Sequence, residues 1–157
     1  VGGVVISMVN VQNQVMNSAN AAEQAQLISR SVGSGVRNST AITLETVASA
    51  DQILRVRTAS SAATATWLCQ AWYFSASEKV VRFKSSSTAI QTPTGQDLAG
   101  WTLLGSGVTA AQGQQIFLLS EEKVSLAFAE QLGSEAPIII RTSASGRGAV
   151  RISAPCF

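Results

Sequence analysis

The sequence of 157 residues has no histidine, only two cysteines and few charged side chains. Without histidine there can be no Ser-His-Asp triad, no imidazole general base and no zinc site that uses imidazole. Two thiols are also too few for an all-cysteine zinc site, which needs four thiolates. The sequence therefore predicts no cofactor and no metal site, and we expect the chain not to be an enzyme.

One spacing looks like a catalytic motif. Ser120-Glu121-Glu122-Lys123 fits the Ser-x-x-Lys pattern of some acyl-transfer enzymes. Those enzymes need Ser and Lys on one helical turn, whereas here the four residues separate two predicted strands. Charged residues are ordinary in such a turn, so we interpret the match as coincidence.

Charge is scarce as well. Charged residues make up 13% of the chain, about half the usual share, and the formal net charge is +2. A charge this small does not by itself indicate a nucleic-acid-binding protein. With 46% apolar residues the chain is not of a disordered type, and Ser, Thr, Ala, Gln and Asn supply its polar surface. This composition is typical of exported, β-rich proteins, so we expect an extracytoplasmic location.

The first charged residue is Glu23, and apolar residues before and after it recur at helical spacing. A helix from about Val4 to Val36 would be about 50 Å long, longer than the head domain that follows. Its first half must then project or contact another chain. The predicted assembly positions are Val4, Val5, Met8, Val11 and Val15. The positions predicted to pack on the sheet are Ala22, Ala25, Ile28, Val32 and Val36.

The apolar run at the N-terminus begins abruptly at Val1. It lacks a preceding basic residue, so it is not a complete signal peptide, and it is too short to span a bilayer. We expect that an earlier hydrophobic part of the helix is missing from this chain.

After Thr40 the apolar period changes from helical to alternating, which predicts about seven short strands joined mostly by tight turns. The fold class predicted is α+β, with residues 1–38 as the N-terminal helix and 39–157 as a β-rich head. The predicted strands are 41–47, 52–58, 64–74, 79–84, 116–119, 123–129 and 137–143, with a further short apolar piece at 101–104, a possible helical turn between 85 and 100 and a last strand over 148–153.

In an exported protein, Cys69 and Cys156 are expected to form one disulfide that holds the C-terminus to the head. The alternative is two unrelated buried thiols.

Two further groups of side chains carry open alternatives. Arg55, Arg57, Lys79, Arg82 and Lys84 could form a basic patch for DNA phosphates, or a solvated face balanced by acidic residues, which is the favoured interpretation. The aromatics between Trp67 and Phe83 could be a carbohydrate platform but are favoured as core. Alternation places Trp72 and Phe74 on one side of their strand and Trp67, Cys69 and Tyr73 on the other.

This layout resembles type IV pilins, especially minor pilins and secretion pseudopilins. The resemblance rests on the uncharged, then amphipathic helix from Val4 to Val36, on the change to β structure after Arg37-Asn38-Ser39-Thr40, and on the closing strand Ile138-Ile139-Ile140-Arg141-Thr142. The family's leader-peptidase site is absent: position 5 is Val5, and no acidic residue precedes Glu23.

The resemblance implies a structural subunit of a pilus or secretion pseudopilus. Such a subunit would be anchored in the membrane before assembly and would then contact other subunits through its N-terminal helix. The alternative hypothesis is a ligand-binding protein: a DNA-uptake or adhesive pilin, or another extracellular β module that recognises DNA or a surface receptor.

Overall fold

The computed structural model describes residues 2–47, 50–59, 66–113, 115–134, 136–147 and 153–157. It is an α+β fold in which one N-terminal helix packs against antiparallel sheets, as predicted. Helix α1 runs over Gly2–Arg37. The described strands are β1 (Ser39–Thr46), β2 (Gln52–Ala59), β3 (Trp67–Ser75), β4 (Val80–Ser86), β5 (Thr102–Ser106), β6 (Val108–Ala110), β7 (Phe117–Ser120), β8 (Lys123–Glu130) and β9 (Ile138–Ser145).

Helix α1 is held by one stripe of small and β-branched side chains. Ala21, Ala25, Ile28, Val32 and Val36 are buried at intervals of three or four residues, which places them on one face. Ala22, predicted to share this face, is only half-buried, and its neighbour Ala21 is buried in its place. The prediction set the stripe one residue off because both positions hold alanine.

The helix ends with a compact cap. The backbone N–H and the side-chain amide of Asn38 both donate to the carbonyl of Ser34, the latter at 3.0 Å, and the Ser39 hydroxyl donates to the carbonyl of Val36 at 2.7 Å. These bonds satisfy carbonyls that the last helical turn leaves without a helical partner. The chain therefore passes from α1 into β1 within two residues.

The strands form two sheets. The first has the order β1-β2-β3-β4-β5, with every neighbouring pair antiparallel. In the second, β8 pairs with β6 and β7 on one side and with β9 over its whole length. Gln52 joins the sheets: its side-chain amide donates to the carbonyl of Phe117 and accepts from the Phe117 N–H.

The main core lies between the inner faces of the two sheets and the buried stripe of α1. The helix contacts β5, at the end of the first sheet, and β9 and β8 of the second. Its contact with β5 is close, because a Cβ added to Gly105 would lie 2.8 Å from Cδ1 of Ile28. Helix α1 thus bridges the two sheets and contributes a full side of the core.

A second, smaller core covers the outer face of the first sheet. Ile53, Cys69, Ala71 and Tyr73 point outward from β2 and β3, opposite to Trp72 and Phe74. They are covered by Ile90, Leu98, Trp101 and Cys156, which come from the segment after β4 and from the chain's C-terminal residues. The sheet is therefore covered on both faces around these residues, and the predicted alternation along β3 is confirmed.

Several sequence predictions need correction. Strand β3 begins at Trp67, and residues 64–65 of the predicted strand lie outside the described residues, as do 148–152 of the predicted last strand. Strand β6 was missed because three residues are too few to show a period.

Trp101 precedes β5 and belongs to the outer core. Lys79 lies in the turn before β4 with a φ of 56°, not in the strand. The predicted helical turn is present as a 3-10 turn over Asp97–Gly100.

Gly35 tests how closely the helix approaches the sheet. A Cβ added there would lie 2.1 Å from Cη2 of the buried Trp72, too close for any real contact. We expect Gly35→Ala to lower the free energy of unfolding by about 1–2 kcal/mol, because the clash outweighs the gain in helix propensity. Chemical denaturation would measure this change. Ser34→Ala, at an exposed neighbouring position, is the control and should have almost no effect.

Candidate functional site

The candidate functional feature is the N-terminal half of α1, whose described side chains before Asn17 are exposed. Among the described side chains of α1, Asn17 lies against the head: its side-chain nitrogen is 3.0 Å from the position of a Cβ added to Gly133. From there the helix continues back to Gly2, about 22 Å at 1.5 Å per residue. The described side chains in this part, at Gln12, Gln14, Val15 and Met16, are all exposed.

Two of these exposed side chains are apolar. Val15 is 64% exposed and Met16 is 60% exposed, and Leu27 is also exposed further along the helix. Of the predicted assembly positions, Val15 is therefore accessible. Val4, Val5, Met8 and Val11 lie within the helix, but their side chains fall outside the described residues. No helix within the described residues is long and apolar enough to cross a membrane.

The two cysteines form the predicted disulfide. Cys69 lies in β3 and Cys156 is the penultimate residue, with 5.3 Å between their Cα atoms. Both are buried in the outer core, and the carbonyl of Cys156 accepts a bond from the Ile90 N–H. The bridge therefore holds both the C-terminus and the segment after β4 against the first sheet. A disulfide is compatible with an extracytoplasmic location.

The predicted basic residues come together only in part. In the strand register Arg55 lies opposite Ala71, which lies opposite Lys84, so both basic residues share the outer face of the first sheet. Arg57 and Arg82 share that face by the same alternation, whereas Lys79 lies in the turn before β4.

Arg55 is not available to a ligand. Its side chain is buried and donates to Glu45 at 2.9 Å and to the Thr92 hydroxyl at 2.5 Å. The bond from Arg55 lowers the pKa of the Glu45 carboxyl, and the Thr92 hydroxyl, which donates to the same carboxylate, adds to the effect. The Arg55 charge is therefore neutralised within the head.

The other basic side chains on this face are also engaged. The guanidinium of Arg57 lies 4.3 Å from the ring centroid of Trp67, a cation–π contact. Arg82 lies 3.8 Å from Glu78, and the Lys84 amine lies 5.8 Å from the ring centroid of Trp101. The geometry corresponds to a balanced, solvated face more closely than to an open phosphate-binding patch.

The aromatic residues divide between the two cores. Trp72 and Phe74 are buried in the main core, and Tyr73 and Trp101 in the outer one. Trp67 is 41% exposed beneath Arg57. A single exposed tryptophan ring, already covered on one side, does not make an aromatic platform. Ser120 and Lys123 pair across the β7–β8 turn rather than on a helix.

Sequence reasoning missed Glu130, which is fully buried at the end of β8. Neither carboxylate oxygen has a hydrogen-bond partner in the described structure, and burial raises the pKa of this carboxyl to about 7. The sequence did contain a signal: Val124, Leu126 and Phe128 alternate into the core, and Glu130 is the next residue in that register. The carboxyl therefore lies on the apolar face.

The chain matches no protein-family model, no curated protein sequence and no solved structure.

Proposed function

We propose that this chain is a structural subunit of an extracellular filament, of the type IV pilus or secretion pseudopilus kind. The observation that carries the proposal is the N-terminal half of α1, which runs for about 22 Å from Gly2 to Asn17 and exposes Val15 and Met16. An isolated helical extension with apolar side chains gains stability when another helix covers it. Its partners in this proposal are the helices of neighbouring subunits.

The head is suited to a role outside the cytoplasm. The buried Cys69–Cys156 bridge needs an oxidising environment to form and persist. In this proposal the subunit is held at the membrane before assembly and is then incorporated into the filament at the cell surface. The finer description of the head as pilin-like is part of the same proposal.

A DNA-binding role is the weaker alternative. It rests on four basic residues that share the outer face of the first sheet: Arg55, Arg57, Arg82 and Lys84. Arg55 is buried against Glu45, and Arg82 lies near Glu78. Phosphate binding would have to compete with these carboxylates, so we do not propose this face as a DNA-binding site.

The helix proposal predicts that charge at Val15 and Met16 blocks assembly. In the native host we expect Val15→Glu/Met16→Glu to lower the amount of subunit in the sheared surface fraction at least about tenfold, a total loss of about 1.4 kcal/mol or more of assembly free energy. Immunoblots of the sheared and whole-cell fractions measure this ratio. The purified chain should keep its melting temperature, because both side chains are exposed.

Gln12→Glu/Gln14→Glu is the matched control. It adds two charges to the same half of the helix at exposed positions that are already polar, and assembly should be retained. If the Val15/Met16 variant assembles as well as the wild type, the helix face that we propose for assembly is wrong.

A further inference from the structure

A cleft of about 630 Å³ opens where α1 ends over the first sheet. One wall is formed by the last turns of the helix, with Ser31, Ser34 and Asn38, and the floor by the inner face of β3 and β4, with Gln70 and Phe83. The cleft volume lies within the range of about 300–1,000 Å³ that is common for small-molecule sites.

The helix wall offers neutral hydrogen-bonding groups. The Ser31 hydroxyl accepts the indole N–H of Trp72 at 2.8 Å, which leaves its own proton to be donated. The side-chain nitrogen of Asn38 donates to the carbonyl of Ser34 at 3.0 Å, which leaves the Asn38 side-chain oxygen to accept. Donors and acceptors therefore lie side by side along this wall.

The floor contains an unsatisfied amide. The side-chain oxygen of Gln70 is buried and has no hydrogen-bond partner among the described residues. Leaving such a group without a partner costs about 1–3 kcal/mol. A ligand hydroxyl in the cleft could remove this cost after a small rotation of the Gln70 side chain.

Apolar surface lies beside these polar groups. Leu68 and Phe83 are half-buried on the floor, and the Phe83 ring lies 5.3 Å from that of Trp72, centroid to centroid. Arg147 is the one ionised side chain among the described lining residues, and no carboxylate accompanies it there. The cleft thus combines hydroxyls and amides, an apolar floor and a single positive charge.

We propose that this cleft binds a short saccharide that carries a carboxylate, of the uronic-acid type. Sugar hydroxyls match the neutral donors and acceptors, the C–H face of a sugar ring matches Leu68 and Phe83, and the carboxylate pairs with Arg147. An apolar peptide or lipid would desolvate Ser34, Asn38 and Gln70 without pairing them. The proposal is independent of filament assembly, because the cleft lies wholly in the head and the C-terminal end of α1.

Titration of the full chain followed by two-dimensional amide NMR tests this proposal. Tetragalacturonate should shift the amides of Ser31, Ser34 and Gln70 saturably at concentrations up to about 10 mM, whereas cellotetraose should bind at least about tenfold more weakly. Arg147→Gln should weaken binding of tetragalacturonate about tenfold and leave binding of cellotetraose unchanged.

Ser34→Trp fills the cleft from an exposed helical position and should abolish binding, whereas Gln26→Trp, exposed elsewhere on the same helix, should bind normally. Thermal melts of both variants establish that each is folded, and Gln70→Leu provides a second test of the floor. The proposal is overturned if neither sugar binds, if cellotetraose binds as tightly as tetragalacturonate, or if a folded Ser34→Trp or Gln70→Leu variant binds like the wild type.

Discussion

Replacing Cys69 and Cys156 together with alanine is expected to lower the free energy of unfolding by about 4–5 kcal/mol, the largest single effect predicted for this chain. The two residues are 87 positions apart, so the bridge removes a long loop from the unfolded ensemble. In a domain of this size the loss corresponds to a fall in melting temperature of roughly 10–15 °C. Calorimetry of the oxidised wild type and the double variant measures it.

Two controls separate the bridge from the packing of its atoms. The wild type after reduction should melt close to the double variant, because both lack the covalent link while only one lacks the sulfur atoms. Carboxypeptidase should remove Phe157 and its neighbours faster from the reduced protein, since the C-terminal residues are tethered at Cys156. A melting temperature that does not change on reduction would contradict this account of how the C-terminus is held.

Glu130 is expected to make the head less stable as the pH rises. Its carboxyl is fully buried, and burial raises its pKa to about 7, so the folded state binds a proton that the unfolded chain releases near its ordinary pKa. The contribution of Glu130 is therefore most favourable below about pH 4, falls as the pH rises toward about 7 and is constant above that. The total fall should be on the order of 3 kcal/mol.

Glu130→Gln tests this, because glutamine has a similar shape and does not titrate. The difference in unfolding free energy between variant and wild type should shift in favour of the variant by that amount between pH 4 and pH 8. Urea denaturation at several pH values measures it. Any constant offset reflects the buried amide and does not bear on the prediction.

Glu23→Gln, on the exposed side of α1, is the matched control and should follow the wild type across the same range. A Glu130→Gln curve parallel to that of the wild type at every pH would show that the Glu130 carboxyl has the same pKa folded and unfolded. Glu45, whose pKa is lowered by Arg55, contributes an opposite slope at acid pH. That slope is common to both proteins and cancels in the difference.

The helix and most strands of this fold could be predicted because each follows from the spacing of apolar residues a few positions apart. Ala25, Ile28 and Val32 recur at helical spacing over a stretch without proline, and a helical stripe of that length needs no knowledge of its partner. The alternation along β3 predicted which aromatics lie on which side. The pairing of Cys69 with Cys156 was the simplest reading of two cysteines in an exported chain, although two unrelated thiols remained open.

Features that depend on the arrangement of distant segments could not be read in this way. Alternation shows that Cys69 and Tyr73 point away from Trp72, but it does not show that Ile90 and Trp101 return to cover them. Arg55 was predicted to lie in a basic patch or on a solvated face balanced by acidic residues, but its strand neighbours do not show that Glu45 and Thr92, on other segments, bury and pair it. Its neutralisation depends on which strands are adjacent.

The N-terminal half of α1 shows both what local spacing specifies and what only the tertiary structure decides. Its helical period and its lack of charge follow from residues three and four apart, so they were visible in the chain alone. Which half is buried was decided by the size of the head, whose sheets cover the stripe from Ala21 to Val36 and leave Val15 and Met16 in solvent. Local spacing specifies a helix and its apolar face, whereas burial depends on surfaces contributed by residues far away in the sequence. The cleft beside Gln70 and the buried carboxyl of Glu130 arise for the same reason.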